Sequence, residues 1–284
     1  MTTGYQALRH AAAWLDLESR GRILARGRDR ARLLHNLTSN DIKNLMPGSG
    51  CYAFVLNPQG RIQADLCIYA FDDHFLLDTE PEPREKVFQH VKRYIIADQV
   101  ELEDVTAQTA CVGLEGPAAP SIVEGPSAAF NHAAWNGYTA ARTTITGQPG
   151  FRIFCAADQK PSLIARLEAA GAQPATPDDA RMVRIENGIP RYGEDITDKS
   201  LPQETQQMHA VSFTKGCYIG QEIVERIRAR GHVNRLLERI ELDTTDAPAP
   251  GTIVTWNGRE AQVTSTLYSP GLGKVVGLAY VRVG

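Results

Sequence analysis

Asn57-Pro-Gln-Gly60 stands between two strand-length apolar runs, 51–56 and 62–70, and a turn set between such runs folds them back on each other as a hairpin. Around it the pattern keeps changing period. A helix is expected over 28–37, a short strand over 74–78, a helix over 83–96 on the apolar positions Val87, Val91, Tyr94 and Ile95, and a strand over 100–105. Strands and helices mixed in this order predict an α+β unit.

Proline and glycine then break the chain at 116–120 and at Gly125-Pro126. Strands around 134–145 and 151–155 and a helix over 162–170 predict a second α+β unit. Asp178 or Asp179 is placed to cap a helix running toward Glu186, with Gly188-Ile-Pro190 as its stop. After a further break at 246–251, Val254-Thr-Trp256, Asn257-Gly258 and 259–266 give a two-residue hairpin signal, and 274–283 reads as another strand. These last residues predict a small β-barrel or sandwich that leans on the rest of the chain. The implied units are 1–115, 116–235 and 236–284, the first two free to interleave as discontinuous domains.

Composition narrows the function classes. A chain of 284 residues, 43% hydrophobic and 22% charged, buries a full core and divides into two or three units. A net charge of -3 opposes general polyanion binding, so nucleic acid is not the expected partner. The opening Met1-Thr-Thr-Gly-Tyr-Gln6 has neither the cationic start nor the apolar core of a secretory signal, and no apolar run reaches membrane-spanning length. The expected setting is the cytoplasm, away from membranes, and nothing demands more than a monomer. The five cysteines include no C-x-x-C pair and are expected as reduced thiols; Cys51, Cys67, Cys111 and Cys155 lie in strand-like runs, as small buried hydrophobes do.

Cys217 has different neighbours. In Lys215-Gly-Cys-Tyr-Ile-Gly-Gln-Glu222 it sits beside a cation and just ahead of a helical pattern, surroundings that favour thiolate, while two glycines four apart allow close backbone approach. In the helix that follows, Ile219, Ile223, Val224 and Ile227 form an apolar stripe, and Arg226, Arg228 and Arg230 occupy other faces. Those arginines are either a solvated, dipole-matched face or, with His232 or Arg235, a clamp for ligand carboxylates. Upstream, Arg184-Ile-Glu-Asn-Gly-Ile-Pro-Arg-Tyr-Gly-Glu-Asp-Ile-Thr197 gathers carboxylates, a tyrosine and glycines without a period, as binding loops do. Glu186 and Glu204 are each able to accept paired N–H donors from an amino-pyrimidine-like edge, or are plain surface acids.

The 184–193 string, Pro202-Gln-Glu204 and the 215–222 octapeptide together resemble the YgfZ family of folate-binding proteins, which assist iron-sulfur cluster enzymes. Leu37-Thr-Ser-Asn-Asp-Ile42 and Leu56-Asn-Pro-Gln-Gly-Arg-Ile-Gln-Ala-Asp-Leu66 resemble the first domain of the glycine-cleavage aminomethyltransferases, so the likeness runs along essentially the whole chain. The resemblance implies a three-domain cloverleaf around a central opening for tetrahydrofolate or a folate derivative, closed by a C-terminal β-barrel. It implies Glu204 as the carboxylate holding the pterin, Glu186 as a nearby acid and Tyr192 in the same segment, with Lys215, Gln221 and Arg228 beside the bound cofactor and Cys217 as the signature thiol. One position departs: the transferases carry Gly-Gly-x-x-Asp-Asp-Leu where this chain has Gly60-Arg-Ile-Gln-Ala-Asp-Leu66, leaving Asp65 alone of the acid pair.

Three functions follow. The first is a folate-binding factor that supports iron-sulfur cluster assembly or repair in client enzymes through Cys217, with no permanently bound metal, since one thiolate cannot hold a cluster. The alternative is a folate-dependent one-carbon transferase of aminomethyl type that uses Asp65 for proton transfer. The third makes Cys217 a hydrolase nucleophile with His209 or His232 as base.

Overall fold

The computed structural model describes residues 1–283, the side chain of Arg230 excepted. In chain order the first part comprises α1 (Thr3–His10), β1 (Ala13–Asp16), β2 (Gly21–Arg26), α2 (Arg30–Leu37), β3 (Gly50–Leu56), β4 (Ile62–Ala70), β5 (His74–Thr79), α3 (Arg84–Arg93) and β6 (Glu101–Asp104). The middle adds β7 (Thr109–Glu115), α4 (Ala119–Ile122), β8 (His132–Trp135), β9 (Tyr138–Ala141), β10 (Gly150–Ala156), α5 (Lys160–Ala169), β11 (Gln173–Ala175) and α6 (Pro177–Glu186). After a stretch with two short 3-10 turns come α7 (Gln221–Arg230), β12 (Arg235–Leu242), β13 (Ile253–Trp256), β14 (Arg259–Ser269) and β15 (Lys274–Arg282).

Local chemistry explains many of these boundaries. At the 57–60 turn the Asn57 side chain accepts from the backbone N–H of Gln59 and of Arg61, and Gly60 takes a φ of 72° that a side chain would resist, so β3 and β4 pair as the turn dictates. Asn136-Gly137 and Asn257-Gly258 both lie in the left-handed region, the requirement of a two-residue hairpin. The first of these pairs splits the region expected as one strand over 134–145 into β8 and β9. The start of α6 corrects another expectation. Thr176, not Asp178 or Asp179, is its N-cap: the Thr176 hydroxyl accepts from Asp179 N–H while the Asp179 carboxylate returns to Thr176 N–H. Helix α1 and strands β1 and β2 carried no signal strong enough to be expected.

Three sheets result. Strands β3-β4-β5-β2-β6 form a five-stranded sheet and β11-β1-β7-β10-β9-β8 a six-stranded one, in which only β1 and β11 run parallel. The C-terminal β12-β15-β14-β13 is a curled antiparallel sheet, half of a barrel, bent by a bulge between Val263 and Ser265. Tyr69, Cys67 and Leu76 of the five-stranded sheet pack with Leu15, Cys111 and Phe154 of the six-stranded one. The C-terminal sheet gives Leu237, Val276 and Leu278 to a cluster with Phe54, Ile62, Ile185 and Val224, and its apolar face is covered in that way. Among the described residues no helix is long and apolar enough to cross a membrane.

Candidate functional site

Between the five- and six-stranded sheets lies a cavity of about 840 Å³, a size typical of small-molecule sites. Strands of the first sheet contribute Tyr52, Asp65, Cys67 and Asp78 to its wall, β10 contributes Arg152, and the 142–150 loop, α6 and the segments 189–194 and 207–209 complete it.

Its floor is an ion network. The fully buried Asp78 accepts from Arg20 Nε at 2.8 Å and from Arg152, and Arg20 also pairs with Glu80. Burial pushes the Asp78 carboxyl upward, but Arg152 and Arg20 outweigh it and hold the group below the usual carboxylate range. Arg191 reaches Glu80 at 3.0 Å and Glu82 at 2.7 Å, while Arg184 pairs with Asp195 at 2.6 Å and Arg181 binds Glu194 at 2.9 Å. Two donor groups are left over. Arg152 Nε is buried with no hydrogen-bond partner, and Arg142, whose guanidinium lies 4.9 Å from the Phe151 ring, forms no ion pair among the described residues. Cys67, expected as an inert hydrophobe, is buried but lines this cavity, 3.3 Å from Arg152 Nη1; burial raises its thiol pKa against the pull of Arg152.

Asp65 differs from the other acids. It is 9% exposed, and its one side-chain hydrogen bond among the described residues comes from the Tyr52 hydroxyl to Oδ2 at 2.7 Å, which leaves Oδ1 free. Burial first, and the charge of Glu80 second, raise the carboxyl to about 6, against the Tyr52 hydrogen bond and the fields of Arg20 and Arg152. The result is a carboxylate whose proton affinity is set near neutrality, as proton-transfer groups require.

The other residues singled out from the sequence lie elsewhere. Glu186 is buried against α1 and β14, accepting from Tyr5 Oη at 2.9 Å, Arg9 Nη1 at 2.6 Å and Ser269. Glu204 pairs with Arg235 at 3.0 Å, which also removes Arg235 from any carboxylate clamp. The hydroxyl of Tyr192 donates to the Gln63 carbonyl at 2.6 Å, and none of these three residues lines the cavity. Gln221 is the first residue of α7, and Arg228 is exposed, its guanidinium 4.3 Å from the Phe213 ring and 3.5 Å from Glu225. Arg226 and His232 are exposed, and the side chain of Arg230 lies outside the described residues.

The octapeptide docks on the outside of the five-stranded sheet. Lys215 Nζ donates to the carbonyls of Thr38 at 2.6 Å, Asn40 at 2.9 Å and His35, so it caps the end of α2 rather than facing the thiol, and burial lowers its pKa to about 8. Gly220 takes a φ of 85° and packs where a Cβ would lie 2.6 Å from the Asn57 carbonyl; Gly216 has open space around it, so only one of the two glycines is needed for close approach. Cys217 is exposed and absent from the cavity lining, as are Lys215, Gln221 and Arg228. No hydrogen bond joins it to His209 or His232 among the described residues, so the hydrolase pair is not assembled. Sequence reasoning missed Arg142, Arg152, Phe130 and the role of Tyr52; the β3–β4 hairpin, which sets Phe54 opposite Asp65 and so makes Tyr52 its diagonal neighbour, was the one signal available.

Comparison with known proteins agrees with this architecture. The GCVT N-terminal domain family matches residues 1–215. An aminomethyltransferase of Rubrobacter xylanophilus is 32% identical over 291 residues, which cover 98% of this chain and 78% of the relative. One from Geobacillus kaustophilus is 31% identical over 298 residues, covering 98% and 81%. The glycine cleavage system aminomethyltransferase T of Bartonella henselae superposes with a TM-score of 0.88 at 19% identity, over 98% of this chain and 80% of that one, which shows a common fold. With three quarters of its length matched by the family and 98% of it aligned to a relative that is 32% identical, the chain belongs to the family defined by the GCVT N-terminal domain.

Proposed function

We propose that the cavity binds tetrahydrofolate and that the chain carries out a folate-dependent one-carbon transfer with Asp65 as its proton-transfer group. The observation that carries this reading is the Asp65 carboxyl, raised to about 6 and presented with one free oxygen in the cavity wall. The residues present fit such a ligand. Arg142, a cation with no ion pair among the described residues, is suited to the carboxylates of a folate tail, and Arg152 Nε is a buried donor with no acceptor among those residues. Bound folate supplies a nitrogen able to carry a one-carbon unit. Asp65 Oδ1 would take the proton that nitrogen sheds as it bonds the donor's carbon and the bond from that carbon to the donor's amine breaks, the amine leaving, while Tyr52 holds the carboxylate in place through Oδ2 and the two flanking sheets restrict water. The two curated relatives described above are both named aminomethyltransferases, which supports the same class. Ala64, which carries no acid, leaves this step to Asp65 alone.

The test is direct. Tetrahydrofolate binding is measured by calorimetry, and transfer is followed with an aminomethylated or N-methyl amine donor, for the native chain and Asp65→Asn. Binding retained with transfer lost supports the reading; equal turnover in the variant rejects it.

One observation favours a second reading, the support of iron-sulfur enzymes suggested by the YgfZ-like octapeptide. Cys217 is presented outward on a seat fixed by Lys215 and Gly220, as a thiol that meets another protein would be. In cells, Cys217→Ser should then lower iron-sulfur enzyme activities without affecting folate binding. Unchanged activities in that strain remove this reading.

A further inference from the structure

Phe130 holds a φ of 63°, a backbone conformation that bulky residues avoid because Cβ crowds the following carbonyl. The surroundings keep it there: its N–H donates to the Arg142 carbonyl at 2.9 Å, and its own carbonyl packs against Gly50, where a Cβ would lie 2.6 Å away. Glycine or asparagine would take this conformation at less cost, so the ring needs a reason of its own.

Its neighbours supply one. The Phe130 ring lies 6.3 Å from Tyr52 at 12° and 6.2 Å from His209 at 20°, and Tyr52 and His209 are 5.3 Å apart at 25°. Three rings from three separate segments therefore stand nearly parallel, offset as aromatic groups prefer, and all three line the cavity. Asn40 fixes two of them by donating from Nδ2 to the carbonyls of Tyr52 at 2.8 Å and His209 at 2.9 Å. His209 stands at the exposed rim, where partial desolvation lowers its pKa and favours the neutral ring. Tyr52 ties the group to the chemistry, since its hydroxyl holds Asp65.

We infer that Phe130, Tyr52 and His209 form the wall on which a flat heterocyclic ring is laid beside Asp65, and that Phe130 is the specificity-determining member. The inference rests on the folate reading for the identity of that ring, the reduced pterin, whose nitrogen must come within reach of the Asp65 carboxylate.

The experiment measures affinities of the intact chain for tetrahydrofolate, a tetrahydropterin without the tail, and p-aminobenzoylglutamate, in the native protein and in Phe130→Gly, Phe130→Ala and Phe130→Tyr. Phe130→Gly relaxes the backbone and so reports on the ring without a folding penalty, which its thermal midpoint verifies. Expected is a loss of roughly tenfold for the first two ligands, an unchanged affinity for the third, and recovery in Phe130→Tyr. An equal effect on all three ligands, or no effect on the pterin, overturns the inference and marks Phe130 as packing alone. A native chain that binds none of the three overturns the folate reading and this inference with it.

Discussion

At the level of single residues, two groups decide what the cavity can do: Oδ1 of Asp65 and the guanidinium of Arg142, neither with a hydrogen-bonded or ion-pair partner among the described residues. Asp65→Asn keeps the shape and removes the proton acceptor, so transfer should fall by about 10²–10⁴ while tetrahydrofolate affinity changes little, as turnover and calorimetry on one sample will show. The same change should raise stability at neutral pH. A carboxyl lifted to about 6 by burial is easier to fold protonated than charged, so its contribution declines as pH rises from the ordinary carboxylate range through 6. Asp65→Asn is therefore expected to melt at a higher temperature than the native chain at pH 7 and alike at pH 4. As a base, Asp65 makes the transfer rate fall when pH drops through about 6. Tyr52→Phe deletes the hydrogen bond that steadies the carboxylate, and this acid limb should move to higher pH. Arg142→Ala should weaken binding of tetrahydrofolate while leaving the tail-less pterin unaffected, a difference that titration of both ligands will read.

Among elements, the seat of α7 on the β3–β4 turn is the contact most sensitive to a methyl group. Gly220 and Gly60 meet back to back, with a Cβ at Gly220 falling 3.2 Å from Gly60 Cα and nearer still to the Asn57 carbonyl, and both residues take positive φ. Gly220→Ala should cost about 2 kcal/mol or more, combining a left-handed backbone penalty with a clash against main chain that cannot yield. Gly216→Ala, in open space, should stay within about 0.5 kcal/mol. Denaturant titration of the pair isolates the contact, and comparable losses would show that the helix is seated otherwise. The Asn257-Gly258 hairpin and the 57–60 turn show why such elements were legible beforehand: their conformations are fixed by residues within the turn itself.

For the molecule as a whole, Asp78 is the joint between the sheets that enclose the cavity, receiving Arg20 from the approach to β2 and Arg152 from β10. Asp78→Asn leaves two buried guanidiniums undercompensated, and a loss of about 3–5 kcal/mol is expected by chemical denaturation. The depressed pKa sets the sign with pH: the contribution of Asp78 is complete above the ordinary aspartate pKa and is lost as pH falls through its lower folded value. Saturating tetrahydrofolate should raise the melting midpoint of the native chain, because a ligand held between the sheets binds only the folded form.

The amino-acid sequence alone determined the β3–β4 hairpin, the hairpin at Asn257-Gly258 and the α+β class, because period and turn chemistry act over a few neighbouring residues. It also marked Asp65 and Cys217 as reactive types. Which acids reach a ligand was decided by the tertiary structure: Glu186 and Glu204 are consumed by Tyr5, Arg9, Ser269 and Arg235, partners distant in the chain, while Asp65 keeps an oxygen free and Arg142 a charge unpaired. A carboxylate's availability depends on which cations the fold brings to it, and that is a property of three dimensions.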